Sequence, residues 1–225
     1  FYVGSIKLNI FKEEDHLDKD SCLLLDDGHQ KVLNLNDCHL DPKIVKKLAP
    51  VDVLMLQFSG ASWWPCVYDY DVEKMKKTSL RKKENNLRRA IEYAKWSKAK
   101  INIPCAGPPI FLDEMFDVWD TTRYENHNPF PLMREGVQHF KRNNIPATLI
   151  NPGDTFSYDG KVTFEKQFLN EKDIYDNYLD YLDSYKKEKL HITKNHLSTY
   201  RNGFKAEQLL KKVFNNVVKR SRIYK

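Results

Sequence analysis

The stretch SCLLLDDGHQKVLNLNDCHLD, residues 21–41, decides how this chain is to be read. It is apolar from Cys22 to Leu25 and breaks at Asp27-Gly28, a pair that suits the left-handed backbone of a tight hairpin turn. Val32, Leu33 and Leu35 then carry a second strand, which ends at Asn36-Asp37. Directly after it Asp37, Cys38 and His39 stand side by side, and carboxylate, thiolate and imidazole are all metal ligands. A polar turn that caps a strand would read the same way. The residues alone leave both possibilities open.

Working outward, Asp41 as N-cap and Pro42 at the first helical position predict a short helix over 42–48. VDVLMLQF (51–58) is a continuous apolar run, the pattern of a strand buried on both faces. SGASWWPCVYDYD (59–71) is a loop rich in small and aromatic residues. From Asp71 to Lys98 the pattern turns helical, with Leu87, Ala90, Ile91 and Ala94 on one face. KINIPCAGPP (100–109) predicts a short buried strand running into a Gly/Pro loop, and FPLMREGVQHFKRNN (130–144) an amphipathic helix. IPATLINPGDTF (145–156) reads as a further strand with a turn, and the chain from Phe164 onward as mostly helical. Strands alternating with helices indicate an α/β fold.

Composition narrows the function classes. The 225 residues are 41% hydrophobic and 12% aromatic, enough for one large domain or two small ones. Mean hydropathy is −0.66, and no apolar stretch approaches the roughly 18 residues of a membrane span. No signal-peptide pattern is visible, so a cytoplasmic location is expected. The chain lacks an initiator Met and enters on a strand-like pattern, FYVGSIKLNIF, which suggests part of something longer. The net charge of +6 is mostly lysine interspersed with acids and amides. That is the pattern of solvated helix faces, so a nucleic acid is not the expected partner. Only the C-terminal tail clusters basic residues without acids. Cys22, Cys38, Cys66 and Cys105 form no CxxC pair or zinc-ribbon spacing, which predicts free thiols in a reducing compartment.

In layered α/β folds reactive side chains gather at loops after the C-terminal strand ends. NDCHLD, QFSGASWWPCVYDYD, PCAGPP and NPGDTF all qualify and could share one pocket rim. In this order, the segments DSCLLLDDGHQKVLNLNDC, DVLMLQFSGASWWP, INIPCAGPPIF and LINPGDTF resemble the second half of a metallo-β-lactamase-fold domain. They are most similar to the CMP-N-acetylneuraminate hydroxylase-like branch and its Rieske-associated bacterial relatives. The resemblance covers roughly residues 1–160 and implies half of an αββα sandwich, with 161–225 as a helical basic extension.

The resemblance implies that Asp37, ending the second strand of the hairpin, gives a carboxylate to a metal. His39, two residues on and on the same face of an extended chain, reads either as a weaker second ligand or as an exposed turn histidine. The His-x-His-x-Asp-His motif of the superfamily is absent from these residues, and Cys105-Ala106 stand where the wider fold has its last histidine ligand. Zinc hydrolases use three or four protein ligands, so iron (or zinc) would need further ligands from an upstream segment. Ser59, Ser62, Trp63, Tyr68, Cys105, Ala106 and Gly107 are the candidates for contacting substrate. Asp69 and Asp71 read as caps, and His127 and His139 receive no role. The activity so implied is a non-haem iron oxygenase or hydroxylase acting on a small polar molecule, with electrons from a Rieske-type partner or domain. A hydrolase of the same fold is an alternative. So is a metal-free scaffold that binds a partner through its loops and tail.

Overall fold

The computed structural model describes residues 1–13, 20–60, 62–112, 116–121, 127–167 and 175–201, with 193–201 as backbone only. The chain divides into two compact units, residues 1–174 and 175–225. In the first, six strands form one sheet in sequential order: β1 (Tyr2–Val3), β2 (Ile6–Lys12), β3 (Ser21–Asp26), β4 (Lys31–Asn36), β5 (Val53–Gln57) and β6 (Ile101–Cys105). Strands β1 to β4 are antiparallel neighbours, and β4, β5 and β6 are parallel. Helix α1 (Pro42–Leu48) joins β4 to β5, and α2 (Val72–Ser97) joins β5 to β6. Beyond β6 come α3 (Asp117–Thr121), α4 (Met133–Arg142) and a separate hairpin of β7 (Thr155–Tyr158) and β8 (Val162–Lys166). The second unit contains α5 (Tyr178–Arg201). The architecture is mixed α/β, as the sequence predicts.

The turn between β3 and β4 forms for the reason its residues suggest. Gly28 takes φ +90°, while the Asp27 carboxylate accepts hydrogen bonds from the backbone N–H groups of His29 and Gln30. Asp41 caps α1 through Lys43 N, and Asp71 caps α2 through Lys74 N. The apolar run of β5 splits by parity between two cores. Leu54 and Leu56 point to the helix side, joining Leu24, Leu33, Leu35, Val45, Leu87, Ala90, Ile91 and Phe140. Val53 and Met55 point the other way, with Ile101, Ile103 and the hairpin residues Phe156, Tyr158 and Val162. A strand covered on both sides needs no polar alternation.

The second face is covered only in part. Cys22 and Leu24 of β3 are buried on the helix side. Their neighbours Leu23 and Leu25, paired with Ile10 and Leu8, are half-buried on the other. Ile6 and Ile10 are 39% and 61% exposed. An apolar strip along β2 and β3 therefore meets solvent.

At the N-terminal ends of the parallel strands a single carboxylate ties three segments. Asp52 accepts Lys31 N at 2.7 Å and Lys100 Nζ at 2.6 Å, while its own backbone bonds Lys31 O and Ile101 N. Burial alone would raise the Asp52 carboxyl, but the hydrogen bonds from Lys100 and the Lys31 backbone hold it below its ordinary value.

Two expectations are corrected. Residues 145–150 form no full strand; one parallel bridge, Asn102–Ala147, joins them to β6. The helical region expected from 161 begins instead with β8, which pairs with β7 and packs Val162 against the sheet. The boundary drawn at 160 thus falls inside a hairpin.

Helix α4 is seated by a close approach at Gly136, where an added Cβ would come 2.7 Å from Cδ2 of the fully buried Phe58. Substituting Gly136→Val should lower the unfolding free energy by about 2 kcal/mol or more, since overpacking a core ring is the dominant effect. Urea denaturation measures it, and unchanged stability would mean that α4 does not rest on Phe58.

Candidate functional site

The loops after β4, β5 and β6 leave the sheet at the same edge, because parallel neighbours end on the same side. The exit from β4 is shaped by a bulge between Asn34 and Asn36, and Asn36 takes φ +50°, a left-handed conformation asparagine tolerates well. The chain then turns, with Cys38 N donating to Leu35 O at 2.8 Å. Cys38 goes into the core at 3% exposure, while Asp37 and His39 face outward and line one cavity of about 520 Å³. Gln57, Gly60, Ser62 and Trp64 contribute from the β5 side, and Lys82, Asn85, Asn86 and Arg89 from α2.

Asp37 accepts a hydrogen bond from Asn36 Nδ2 at 3.0 Å. Its side chain reaches solvent, yet partial burial and a hydrogen bond shared with the Asp20 carboxyl raise it above its ordinary value. Asp20, the residue directly before β3, carries no pattern in the sequence that singles it out. His39 Nδ1 stands 3.9 Å from Glu13 Oε1, with its side chain 41% exposed.

The β5 and β6 loops are packed together. Ser59 is fully buried, and a Cβ on Gly107 would come 2.7 Å from Ser59 Cβ, so only glycine, at φ +151°, permits this contact. Ala106 takes φ +53°. Cys105 feels the Asp37 charge, and burial pushes its thiol up to about 11, which leaves it a neutral SH. Asp37, Ser59, Gly60, Ser62 and the Cys105–Gly107 turn are thereby brought to one place. Trp63 and Tyr68 lie elsewhere. Trp63 is 59% exposed and packs its ring 5.9 Å from Phe111 and 6.0 Å from Phe116, while Tyr68, 50% exposed, stacks on Tyr70 at 5.5 Å. The neighbouring Trp64 faces the cavity instead. Asp71 is an N-cap, and burial lowers His139 on α4.

The helix side of the cavity was not anticipated. Lys82 is 6% exposed and donates to the carbonyl oxygens of Ser62 at 2.7 Å and Trp64 at 2.6 Å, which pins the loop to α2. Asn86 Nδ2 donates to Ser59 O at 2.8 Å, and its Oδ1 accepts from Arg89 Nη2 at 2.9 Å. Gly60 is required beside it, since a Cβ would come 2.7 Å from Asn86 Nδ2. Burial also lowers Arg89, but from so high a starting value that the guanidinium stays charged.

A metal needs three or four converging ligands for tight binding. Among the described residues no group of three or more His, Cys, Asp or Glu side chains is placed to hold one. Asp37 and His39 fit a contribution to a shared site, not a complete one. The four cysteines are free thiols, and no described helix is long and apolar enough to cross a membrane.

Burial drags Lys82 down to about 8 from its ordinary 10.5. An unfolded Lys82 keeps its proton up to about 10.5, so between these values the unfolded chain binds more protons and stability rises with pH. The stability of the wild type relative to Lys82→Met should therefore increase from pH 8 to 10.5 in urea titrations. A difference that stays flat would mean that the ammonium is hydrated.

No family model matches the chain. Two curated relatives from Mycobacterium tuberculosis strains, provisionally named Rieske 2Fe-2S iron–sulfur proteins, are 36% identical over 145 residues, covering 63% of this chain. A similarly named protein of Mycolicibacterium smegmatis is 29% identical over 146 residues, or 64% of this chain. The chain spans 28% of the length of each of these relatives. Among solved structures, the metallo-β-lactamase-fold protein YhfI from Bacillus subtilis is similar over 73% of this chain and 52% of its own, at 12% identity and a TM-score of 0.37.

Proposed function

We propose that this chain is one half of a metallo-β-lactamase-like αββα domain in a metal-dependent oxidoreductase that takes electrons from a Rieske-type domain or partner. The observation that carries the reading is the convergence of the β4, β5 and β6 loops on one cavity with Asp37 at its rim. The half-covered sheet supports it, since the strip of Ile6, Leu8, Ile10, Leu23 and Leu25 is where a second sheet would lie. The names of the curated relatives support the electron donor.

In this reading Asp37 would give its carboxylate to an iron centre, and His39 would be a second donor. The remaining ligands come from outside these residues. When bound, the metal would supply oxygen activation. This chain's own part is to bind and orient a small polar substrate, with Ser62 and Trp64 at the cavity wall and the Ser59 and Cys105–Gly107 turns behind it. The exposed Trp63 and Tyr68 would meet only a ligand extending beyond the cavity. Burial holds the Cys105 thiol protonated, which suits a packing role at the back of the cavity. The shortage of converging ligands among the described residues favours one rival, a metal-free scaffold using the same cavity for binding.

Metal analysis separates the two. The 225-residue chain alone should hold no stoichiometric iron or zinc. The intact native protein should hold iron beyond that of any 2Fe-2S cluster, and Asp37→Ala should lower it while leaving the circular dichroism spectrum unchanged. Tight metal in the 225-residue chain, or full iron retention in Asp37→Ala, would overturn the assignment. An intact protein without such iron would establish the scaffold reading.

A further inference from the structure

Two adjacent lysines of α2 are treated differently by the fold. Lys83 is buried and meets a carboxylate, Glu135 Oε1, at 2.5 Å. Lys82 is at least as buried, yet its partners are two neutral carbonyl oxygens and the face of Phe130, 4.2 Å away. One and two turns on, Asn86 and Arg89 continue the same side of the helix. The partners of Arg89 are the amide oxygens of Asn86 at 2.9 Å and Gln57 at 3.5 Å, both neutral and both reached through Nη2. Among the described residues neither cation has a carboxylate within ion-pair distance, although both line the same cavity.

Burying a cation without its counter-charge is costly, and the usual remedy is a paired anion. Here the buried Lys82 and the half-buried Arg89 stand on one wall, Arg89 with Glu13 and Glu92 near enough to favour its charge but in no ion pair with it. Arg89 has Nε–H and Nη1–H left on different edges of its guanidinium, each able to donate singly, and Lys82 keeps one N–H. Asn85 at the rim and the Ser62 hydroxyl add neutral donors. Among the described residues the one acid lining the cavity is Asp37, from the opposite, strand side.

We propose that the Lys82–Asn86–Arg89 wall binds an oxyanion, the carboxylate or phosphate group of the small molecule that occupies the cavity. The inference rests on reading the cavity as the substrate site, and it adds the substrate's charge and orientation. The anionic end lies against α2, and the remainder of the molecule extends towards Asp37.

The probes are inorganic phosphate and acetate, titrated into the intact native protein at constant ionic strength with chloride as the reference anion. Binding is followed by thermal unfolding and by broadening of the probe's NMR signal. At least one oxyanion should bind more tightly than chloride, and the better of the two identifies the group. Arg89→Gln should weaken that binding about tenfold. Arg88→Gln removes the same charge one residue away, from an exposed side chain paired with Glu92, and should leave binding unchanged. Asn85→Asp puts a carboxylate at the exposed rim without touching a buried group, and should weaken binding to a similar degree if Arg89→Gln fails to fold. The proposal fails if neither oxyanion outcompetes chloride, or if Arg88→Gln weakens binding as much as the cavity variants do. The probes need neither metal nor electron donor. Loss of iron with intact anion binding would thus overturn only the oxidoreductase reading, and iron without anion binding would overturn only this inference.

Discussion

The parallel pairing of β4, β5 and β6 is the constraint on which the rest depends. Val32, Val53 and Ile101 stand side by side, as do Leu33, Leu54 and Asn102. Parallel neighbours cannot be joined by a tight turn, so each link must cross over a face of the sheet. Those crossings are α1 and α2, and their apolar sides bury Leu33, Leu35, Leu54 and Leu56. The same arrangement sends three chain exits to one edge. The cavity, the Asp37 rim and the cationic wall all follow from it.

Where local chemistry alone determines structure, the sequence was readable. The Asp27-Gly28 turn, the Asp41 and Asp71 caps and the two-faced burial of β5 each rest on residues close in sequence. The cationic wall was not read, because KMKKTSLRKKENNLRR looks like any solvated lysine-rich helix. Its phase was nonetheless present. Leu87, Ala90, Ile91 and Ala94 fix which side of α2 meets the sheet, and Lys82, Lys83 and Asn86 lie on the same side a turn or two earlier. What sequence could not supply is that the sheet ends there, so that those positions meet loop carbonyls and Glu135 and not apolar side chains. Likewise nothing local distinguishes Trp63 from Trp64; one packs on Phe111 and the other faces the cavity only because of how the loop is pinned. The strand β8 was missed because its pairing with β7, not its own few residues, determines it.

The cavity is electrically polarised. Its strand side presents Asp37 with Asp20 close by, and its helix side presents Lys82 and Arg89. In a partly desolvated space such separated charges set up a field stronger than they would in water. Glu135 keeps that field confined to the wall it serves. One of its oxygens neutralises Lys83, and the other accepts Leu132 N to cap α4, so the second buried lysine adds nothing to the cavity.

The opposite edge of the sheet has a different task. There Asp52 holds the starts of β4, β5 and β6 through Lys31, its own backbone and Lys100. Because strand alignment is secured at that end, the rim loops are relieved of it. Away from Gly60 and Gly107, where a side chain does not fit, their length and residues can drift, over evolutionary time or by design, without the strands slipping against one another. A scaffold anchored by a single carboxylate at its base can thus acquire a new ligand by rewriting only its upper loops, and the residues to leave alone in such an experiment are Lys31, Asp52 and Lys100.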